Sequence, residues 1–379
     1  MSKKIWAVAF GGPSPEHEIS ILTGLQAERI LSAGSNETIL IYQATNGAWF
    51  QVPKGLEADD FTSGVPSGSN ELEMVLSGDP GVYQIKGRKK IPLKIDAALL
   101  CFHGGLGEGG GVSALFNFLD IPATGSSVFA SAVGMDKLAF AGLMKLAGIS
   151  ALPREALSMT QEPGFSGPMI LKPRFGGSSI GIEIVQDIET ARAVNQGSSH
   201  LKQGAVIEPY RPDLVDLNIS FRTYPQFELT ELERPLRSEV EKSSLYSYQE
   251  KYLAGDGRGI DNAPREFPAQ VSDELRSKAR NLASRVGEVT GLTGILRLDL
   301  LWDEKTDEVF VNEVNTIPGA LALYLWAPST PALTILEDAL KESELLPRAA
   351  PSTGFAQGIA LRSAGGIAGK LRGLDRPMR

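Results

Sequence analysis

The sequence predicts an α/β protein that opens with a parallel α/β unit, and three stretches carry that prediction. Residues 5–10, IWAVAF, are a short apolar run closed by Gly11-Gly12; a helical pattern follows to about Ala33, and a second apolar run, ETILIYQA, fills 37–44. Strand, glycine turn, helix, strand is how a parallel unit begins. Residues 95–102, IDAALLCF, are apolar on both faces, which predicts a central strand. Residues 297–315 alternate: Arg297, Asp299 and Leu301 share one face, Leu296, Leu298, Leu300 and Trp302 the other. DEKTD at 303–307 supplies a turn, and the return strand sets Val309, Val311, Glu313 and Asn315 opposite Phe310, Asn312 and Val314. That is a β-hairpin.

With 379 residues the chain is long enough for two or three domains with cores of their own. A net charge of −8 argues against a dedicated nucleic-acid binder. No apolar run approaches the roughly 20 residues that span a bilayer, and the N-terminal run stops at Gly11-Gly12 without a cleavage site. Cys101 is the single cysteine, so no intramolecular disulfide is possible and a cytoplasmic location is the expectation.

Ligands of parallel sheets gather at the carboxyl ends of strands, which makes Glu16 and His17 candidates; Glu16 and Glu18 also simply suit a helix start. Residues 54–80, rich in Gly, Ser, Pro and acids, suggest a surface excursion, and basic GRKKIPLK leads into the next strand. That strand ends at His103 and a glycine turn holding a formal GxGxxG at Gly105, Gly107 and Gly110. Such a turn fits a dinucleotide-binding oxidoreductase, but the acid that should close a second strand is not evident. Gly365 to Leu371 imitates a phosphate loop and fails at Ala364 and Leu371.

Asp136 caps a helix that Gly148 stops. Residues 167–185 deliver Lys172 on a strand, then a Gly/Ser loop rich in backbone N–H groups, then a second strand; this is a workable phosphate clamp or an ordinary hairpin. Glu208 ends an apolar strand, a place for a carboxylate that accepts from an adenine amino group or a ribose, or for plain polarity at the sheet's rim. Residues 225–270 are turn-rich and carry Tyr246, Tyr248, Lys251 and Tyr252, the pattern of a functional lid or of a disordered segment. Ser272 caps a helix running to about Thr290. In the hairpin that follows, Asp299 falls opposite Glu313, with Arg297 and Asn315 beside them. Two carboxylates and an amide oxygen suit a hard cation such as Mg²⁺, although a solvated charged face has the same pattern. After Gly319 come the apolar ALALYLWAPS, a helix at 334–345 and a basic tail.

Segments FGGPSPEHEIS (10–20), HGGLGEGG (103–110), IPATGSSVFASAVGMDK (121–137), ILKPRFGGSSIG (170–181), YSYQEKY (246–252), RLD (297–299) and NEVNTIPG (312–319) together resemble the D-alanine–D-alanine ligase family of the ATP-grasp superfamily, over roughly residues 3–335. The resemblance implies a three-domain ATP-grasp architecture: an N-terminal α/β domain at 1–135, a central subdomain at 136–224, a C-terminal domain with its lid at 225–345, and a flexible tail at 346–379. It implies Mg-ATP-dependent joining of two D-alanines through an acyl phosphate, for peptidoglycan precursor, by a cytoplasmic homodimer. A different amine acceptor is the alternative.

By the same resemblance, Lys137 and Lys172 would hold ATP phosphates, Glu208 and Asp216 the adenine and ribose, and Asp299, Glu313 and Asn315 two Mg²⁺ (or Mn²⁺) ions. Arg297 and the Gly319 N–H would cradle the oxyanion. Glu16 would fix the first ammonium, tied to Ser178 and Tyr252, while His103, Lys251, Tyr324 and Leu325 would line the amino-acid sites. The chain departs from the family pattern at Gly109, in the region of Ser113, and at Tyr324, where the family offers a small hydroxyl residue.

Overall fold

The computed structural model describes residues 3–236 and 264–347, with the isolated positions Leu361, Ile367 and Leu371. Contacts divide the chain into one unit, Met1–Leu346, and a second, Pro347–Arg379; the tail beyond Pro347 lies outside the described residues apart from those three positions.

The apolar N-terminal run becomes β1 (Ile5–Gly11), which hands over through Gly11-Gly12 to helix α1 (His17–Ser32). Five strands follow: β2 (Glu37–Gln43), β3 (Trp49–Val52), β4 (Asn70–Val75), β5 (Gly81–Lys86) and β6 (Lys89–Leu93). With β7 (Ala97–Leu100) they form one sheet ordered β6-β5-β4-β3-β2-β1-β7. Only β2-β1-β7 is parallel; the outer strands from β3 to β6 pair antiparallel. The surface excursion expected at 54–80 therefore contributes a strand, β4, whose alternating Leu72 enters the core.

The strand predicted to be central, β7, is instead at the sheet's edge. Its apolar character reflects burial rather than position. Residues 97–100 are at most 3% exposed, and the outer edge is covered by residues 122–124, where Ala98 N–H donates to Pro122 O and Thr124 N–H to Ala98 O. A covered edge needs no gatekeeping charge.

Short helices α2 (Gly105–Glu108), α3 (Gly111–Phe118) and α4 (Val128–Met135) follow, and then α5 (Lys137–Leu146). Asp136 caps α5 as predicted, its carboxylate accepting from Leu138 and Ala139 N–H at 3.1 and 3.2 Å. A second sheet, ordered β10-β9-β11-β8, comprises β8 (Glu155–Ala156), β9 (Met169–Pro173), β10 (Glu183–Val185) and β11 (Ala205–Pro209), with α6 (Ile188–Gly197) packed on it.

The third sheet, ordered β13-β12-β16-β17, joins β12 (Val215–Arg222) and β13 (Glu228–Leu229) to the hairpin β16 (Ile295–Asp303) and β17 (Glu308–Asn315). A two-stranded ribbon, β14 (Arg234–Pro235) with β15 (Arg265–Glu266), lies beside it, and α7 (Asp273–Thr290), capped by Ser272, covers its core face. Two closing helices are α8 (Leu323–Trp326) and α9 (Ala332–Leu345). Ile335, Leu336 and Leu340 of α9 pack with Trp6, Val8 and Phe10 of β1, so the chain returns to its first sheet.

The hairpin register is the predicted one at the functional end: Arg297 faces Asn315 and Asp299 faces Glu313. Past Asp299 the register slips by one, Leu300 pairing with Val311, which leaves Asn312 as the extra residue of a β-bulge. The strict alternation expected for the return strand is thereby corrected. Val309, Val311 and Val314 all enter the core, while Asn312, Glu313 and Asn315 face outward into a cleft.

Candidate active site

One cleft gathers the candidates. It is lined by Glu16, His103, Lys137, Lys172, Ser178, Glu208, Asp216, Arg297, Asp299, Glu313, Asn315, Gly319 and Tyr324, residues drawn from the second and third sheets, the segments that follow β1 and β7, and the loops and helix ends nearby. Leu325 is not among them: it is 1% exposed, and on α8 it is the adjacent Tyr324 that reaches the cleft. Lys251 and Tyr252, and the lid predicted around them, lie outside the described residues.

Its floor is the third sheet. Alternation points Leu298, Leu300, Leu217 and Ile219 into the core, so Arg297, Asp299, Asp216 and Asn218 face the cleft. Arg297 grips Asp299 bidentately, Nε to Oδ1 at 2.7 Å and Nη2 to Oδ2 at 2.9 Å, and Asn315 Nδ2 donates to the same Oδ2 at 3.1 Å. Burial alone would lower the guanidinium's pKa; the Asp299 charge overrides it and holds Arg297 firmly protonated. Among the described residues no group of three or more His, Cys, Asp or Glu side chains gathers as a metal site. Asp299, Glu313 and Asn315 instead offer two carboxylates and one amide, the sparse oxygen set that suits Mg²⁺ when phosphate oxygens complete its shell.

On the opposite wall, Lys137 stands at the first position of α5, its Nζ donating to the Gly176 carbonyl and lying 3.7 Å from Glu313 Oε2. Burial lowers its pKa, and Glu313 counters that. Lys172 on β9 pairs with Glu208 on β11, both buried. Sequence reasoning missed Arg154, which closes this cluster by donating two hydrogen bonds to Glu208. Nothing in the sequence near 154 marks it, because its partners are 54 and 158 residues away. Burial would raise the Glu208 carboxyl, but Lys172 and Arg154 hold it down at about 2.

Glu16 precedes α1 and is 6% exposed; Ser178 Oγ donates to its Oε1 from the glycine-rich loop after β9. That loop turns through left-handed backbone at Ser178 and Ser179, with φ +52° and +59°. On the other side of Glu16 stands Gly104, at φ +68°, where a Cβ would meet Glu16 Oε2 at 2.2 Å. Only glycine leaves room for the carboxylate there.

Glu108 was also missed as a site residue. Its Oε2 accepts from Gly104 N–H at 3.1 Å and its Oε1 from Thr316 N–H at 3.2 Å, while Thr316 Oγ1 donates to the Glu108 carbonyl. It thus ties the histidine turn to the segment between Asn315 and Gly319. Burial, then the charge of Glu16, pushes the Glu108 carboxyl up to about 7. His103 is 3% exposed, its Nε2 is 2.9 Å from Thr23 Oγ1, and burial with some help from Arg297 pushes it down to about 4. Thr23 in turn accepts from Ala320 N–H at 3.4 Å, linking α1 to the turn after Gly319. That turn is left-handed at Ala320, Leu321 and Ala322, with φ of 50–51° at residues that have a Cβ, strain costing about 1–2 kcal/mol each.

The two shifted groups act oppositely on stability. Folded Glu108 keeps a proton that the unfolded chain, with its ordinary value of 4.5, has lost, so its contribution falls as pH rises from about 4.5 to 7. Unfolded His103 binds a proton below 6.5 that the folded chain refuses until about 4, so its contribution rises with pH between 4 and 6.5. Glu108→Gln should therefore make stability climb more steeply with pH between 4.5 and 6.5 than in the wild type, as read by denaturant midpoints. Equal slopes would contradict the assignment.

Tyr324 lines the same cleft, within electrostatic reach of Arg297. Its hydroxyl is 3.4 Å from Glu233 Oε2, and the Arg265 guanidinium lies over its ring, 4.2 Å from the centroid. Burial pushes the phenol's pKa well up, so it remains a donor. Glu233 and Arg265 carry no motif, and sequence alone gives no reason to single them out.

A central sheet carrying Lys172 and Glu208 and a C-terminal sheet carrying Asp299, Glu313 and Asn315, meeting over one cleft, is the ATP-grasp arrangement. Residues 5–126 match the family description D-ala D-ala ligase N-terminus and residues 129–330 match D-ala D-ala ligase C-terminus. The chain belongs to the D-alanine–D-alanine ligase family. It is 29% identical over 340 residues to the D-alanine–D-alanine ligase of Campylobacter concisus, covering 89% of this chain and 93% of that protein. To the D-alanine–D-alanine ligase of Thermosipho africanus it is 30% identical over 336 residues, covering 84% and 87%.

Among solved structures, D-alanyl-alanine synthetase A from Vibrio cholerae superposes with a TM-score of 0.74 at 19% identity, over 91% of this chain and 100% of that one. The VanG D-Ala:D-Ser ligase from Enterococcus faecalis gives 0.73 at 20%, over 90% and 100%. At such identity these two likenesses speak to the fold alone. No helix among the described residues is long and apolar enough to cross a membrane.

Proposed function

We propose that this protein uses ATP to join two D-alanines, releasing ADP and phosphate and supplying the dipeptide for peptidoglycan precursor. The observation that carries the reading is the convergence on one cleft of two lysines, an Arg297–Asp299 pair beside Glu313, and the Gly319 backbone, in a chain of this family. We divide its unit Met1–Leu346 at 135/136 and 224/225, with β12, just before the second boundary, pairing with β16 beyond it. We assign the reaction to the cytoplasm, where ATP is supplied, and the assembly to a homodimer.

In this mechanism Glu16 receives the ammonium of the first D-alanine, held in place by Ser178 and by the absence of a side chain at Gly104. The carboxylate oxygen of that D-alanine attacks the γ-phosphorus of ATP; the bond to the β-phosphate oxygen breaks and ADP departs. Lys137 and Lys172 orient the phosphates, and Glu208 and Asp216 border the adenosine. Asp299, Glu313 and Asn315 would hold Mg²⁺, which when bound supplies charge neutralisation to the transferring phosphoryl group. The neutral amine of the second D-alanine then attacks the acyl carbon and gives up one proton, which departs with the phosphate. Arg297 and the Gly319 N–H stabilise the resulting oxyanion, and phosphate leaves as the carbonyl re-forms. His103, neutral because buried, and Tyr324 border the amino-acid sites. Lys251 and Tyr252 join this assignment on sequence alone.

The test is incubation of the purified protein with ATP, Mg²⁺ and a panel of D-amino acids, with products identified by mass. D-alanyl-D-alanine should form from D-alanine alone. Phosphate release from that mixture without dipeptide would refute the reading.

A further inference from the structure

Glu208 carries more positive charge than one carboxylate needs. Arg154 donates Nε and Nη2 to its Oε2 at 2.9 and 2.7 Å, while the Lys172 ammonium pairs with its other oxygen, Oε1. The three side chains are 4%, 8% and 3% exposed for Arg154, Lys172 and Glu208, so none can fall back on water. The two cations differ in how firmly they are held. Arg154 also donates to the Lys137 carbonyl at 3.3 Å and to the Asn312 carbonyl and Oδ1 at 3.3 and 3.1 Å, which fixes its guanidinium across α5, β11 and β17. Lys172 holds Glu208 with a point charge on a flexible four-carbon stem. All three line the cleft assigned to the nucleotide.

We propose that Arg154 is a positioning residue, the standing counter-ion of Glu208, which allows Lys172 to exchange Glu208 for a phosphate oxygen without leaving a buried carboxylate unpaired. The inference rests on the reading of the cleft as an ATP site. Removing one partner of a buried pair is far costlier than forming the pair is favourable, because the remaining charge is stranded. In the resting cleft Glu208 has two partners, so losing Lys172 to the nucleotide still leaves it a bidentate guanidinium. Without Arg154, Lys172 is the one cation left to the carboxylate among the described residues, and every nucleotide that binds must pull it away. Glu208 does not escape by taking up a proton, since its carboxyl titrates far below neutral pH.

Arg154→Met should therefore weaken nucleotide binding by on the order of tenfold or more, measured by calorimetry with ADP and mirrored in KM for ATP. The KM for D-alanine and kcat at saturating ATP should stay within about twofold, because nothing that touches the amino acids has changed. Arg154→Lys, which keeps the charge and loses the fork, should fall between. The decisive readout is the cycle with Glu208→Gln: in that background neither Arg154 variant should cost more than about twofold further, as no carboxylate remains to be stranded. The lysine variant carries the same comparison should the methionine variant fail to fold. Wild-type affinity in both variants, or an equal loss with and without the Glu208 charge, would overturn the proposal. A wild-type chain that binds no nucleotide would overturn the reading of the cleft itself.

Discussion

Arg297→Lys is expected to lower kcat by about 10²–10³, the usual loss when one oxyanion donor is removed, with the KM for ATP little changed. The guanidinium does two things a lysine cannot. Its fork grips Asp299 through two parallel bonds, Nε–Oδ1 at 2.7 Å and Nη2–Oδ2 at 2.9 Å, leaving the remaining N–H groups aimed by a rigid plane. It also keeps its charge regardless of burial, in a site where the paired side chains are only 11% and 15% exposed. Lysine still offers Asp299 a cation in the same place, so the carboxylate is not left without a partner, and the experiment tests the fork together with the charge that burial weakens in an ammonium. Arg297→Met would confound it, since breaking a buried pair costs about 3–5 kcal/mol of stability. The loss should appear in kcat rather than KM because the oxyanion exists only after the acceptor amine has attacked. A lysine variant with wild-type kcat would remove Arg297 from the oxyanion role.

Local pattern reaches far enough along the chain to put Arg297 on one strand face with Asp299, while its oxyanion role comes from the family resemblance. Period-two alternation in 297–301 identifies the cleft face of β16, and the pairing of Asp299 with Glu313 follows from the turn at 303–307. The bulge at Asn312 does not follow. A bulge is one extra residue accommodated by the partner strand's packing, and Val311 and Val314 reveal it only once both are seen in the core. The edge position of β7 escapes for a related reason: hydrophobicity reports burial, and residues 122–124 bury the edge as well as another strand would.

Motif residues are legible where a local pattern marks them, as with the glycine turn after His103 and Lys172 before a glycine loop, while Gly319 enters through the family resemblance. Arg154, Glu108, Glu233 and Arg265 are not. Each acts through side chains brought together by tertiary structure, as when Arg154 meets Glu208 and Asn312, and no spacing rule encodes that. At Leu325 the side chain is buried while its neighbour Tyr324 lines the cleft, because a short helix turns successive side chains about 100° apart.

Glu313→Gln should lose at least as much as Arg297→Lys, and by a different signature. The substitution keeps size and one acceptor oxygen and removes the charge, in a set that holds only two carboxylates to begin with. If Asp299, Glu313 and Asn315 hold Mg²⁺ against the phosphates, halving the anionic charge removes several kcal/mol of phosphoryl-transfer stabilisation, or about 10²–10³ and more in rate. A second consequence reaches across the cleft. Glu313 Oε2 is 3.7 Å from Lys137 Nζ and is what offsets the burial of that ammonium. With the charge gone, Lys137 loses that partner and its pKa falls further, so nucleotide affinity should drop as well as turnover, and the loss should deepen as pH is raised. Titrating Mg²⁺ distinguishes the two contributions: excess metal should recover part of kcat in the variant, whereas the Lys137 contribution should be indifferent to it. Full activity at ordinary Mg²⁺ would refute the metal assignment. Lost activity that neither Mg²⁺ nor lower pH relieves would instead assign Glu313 to holding the bulged strand in register.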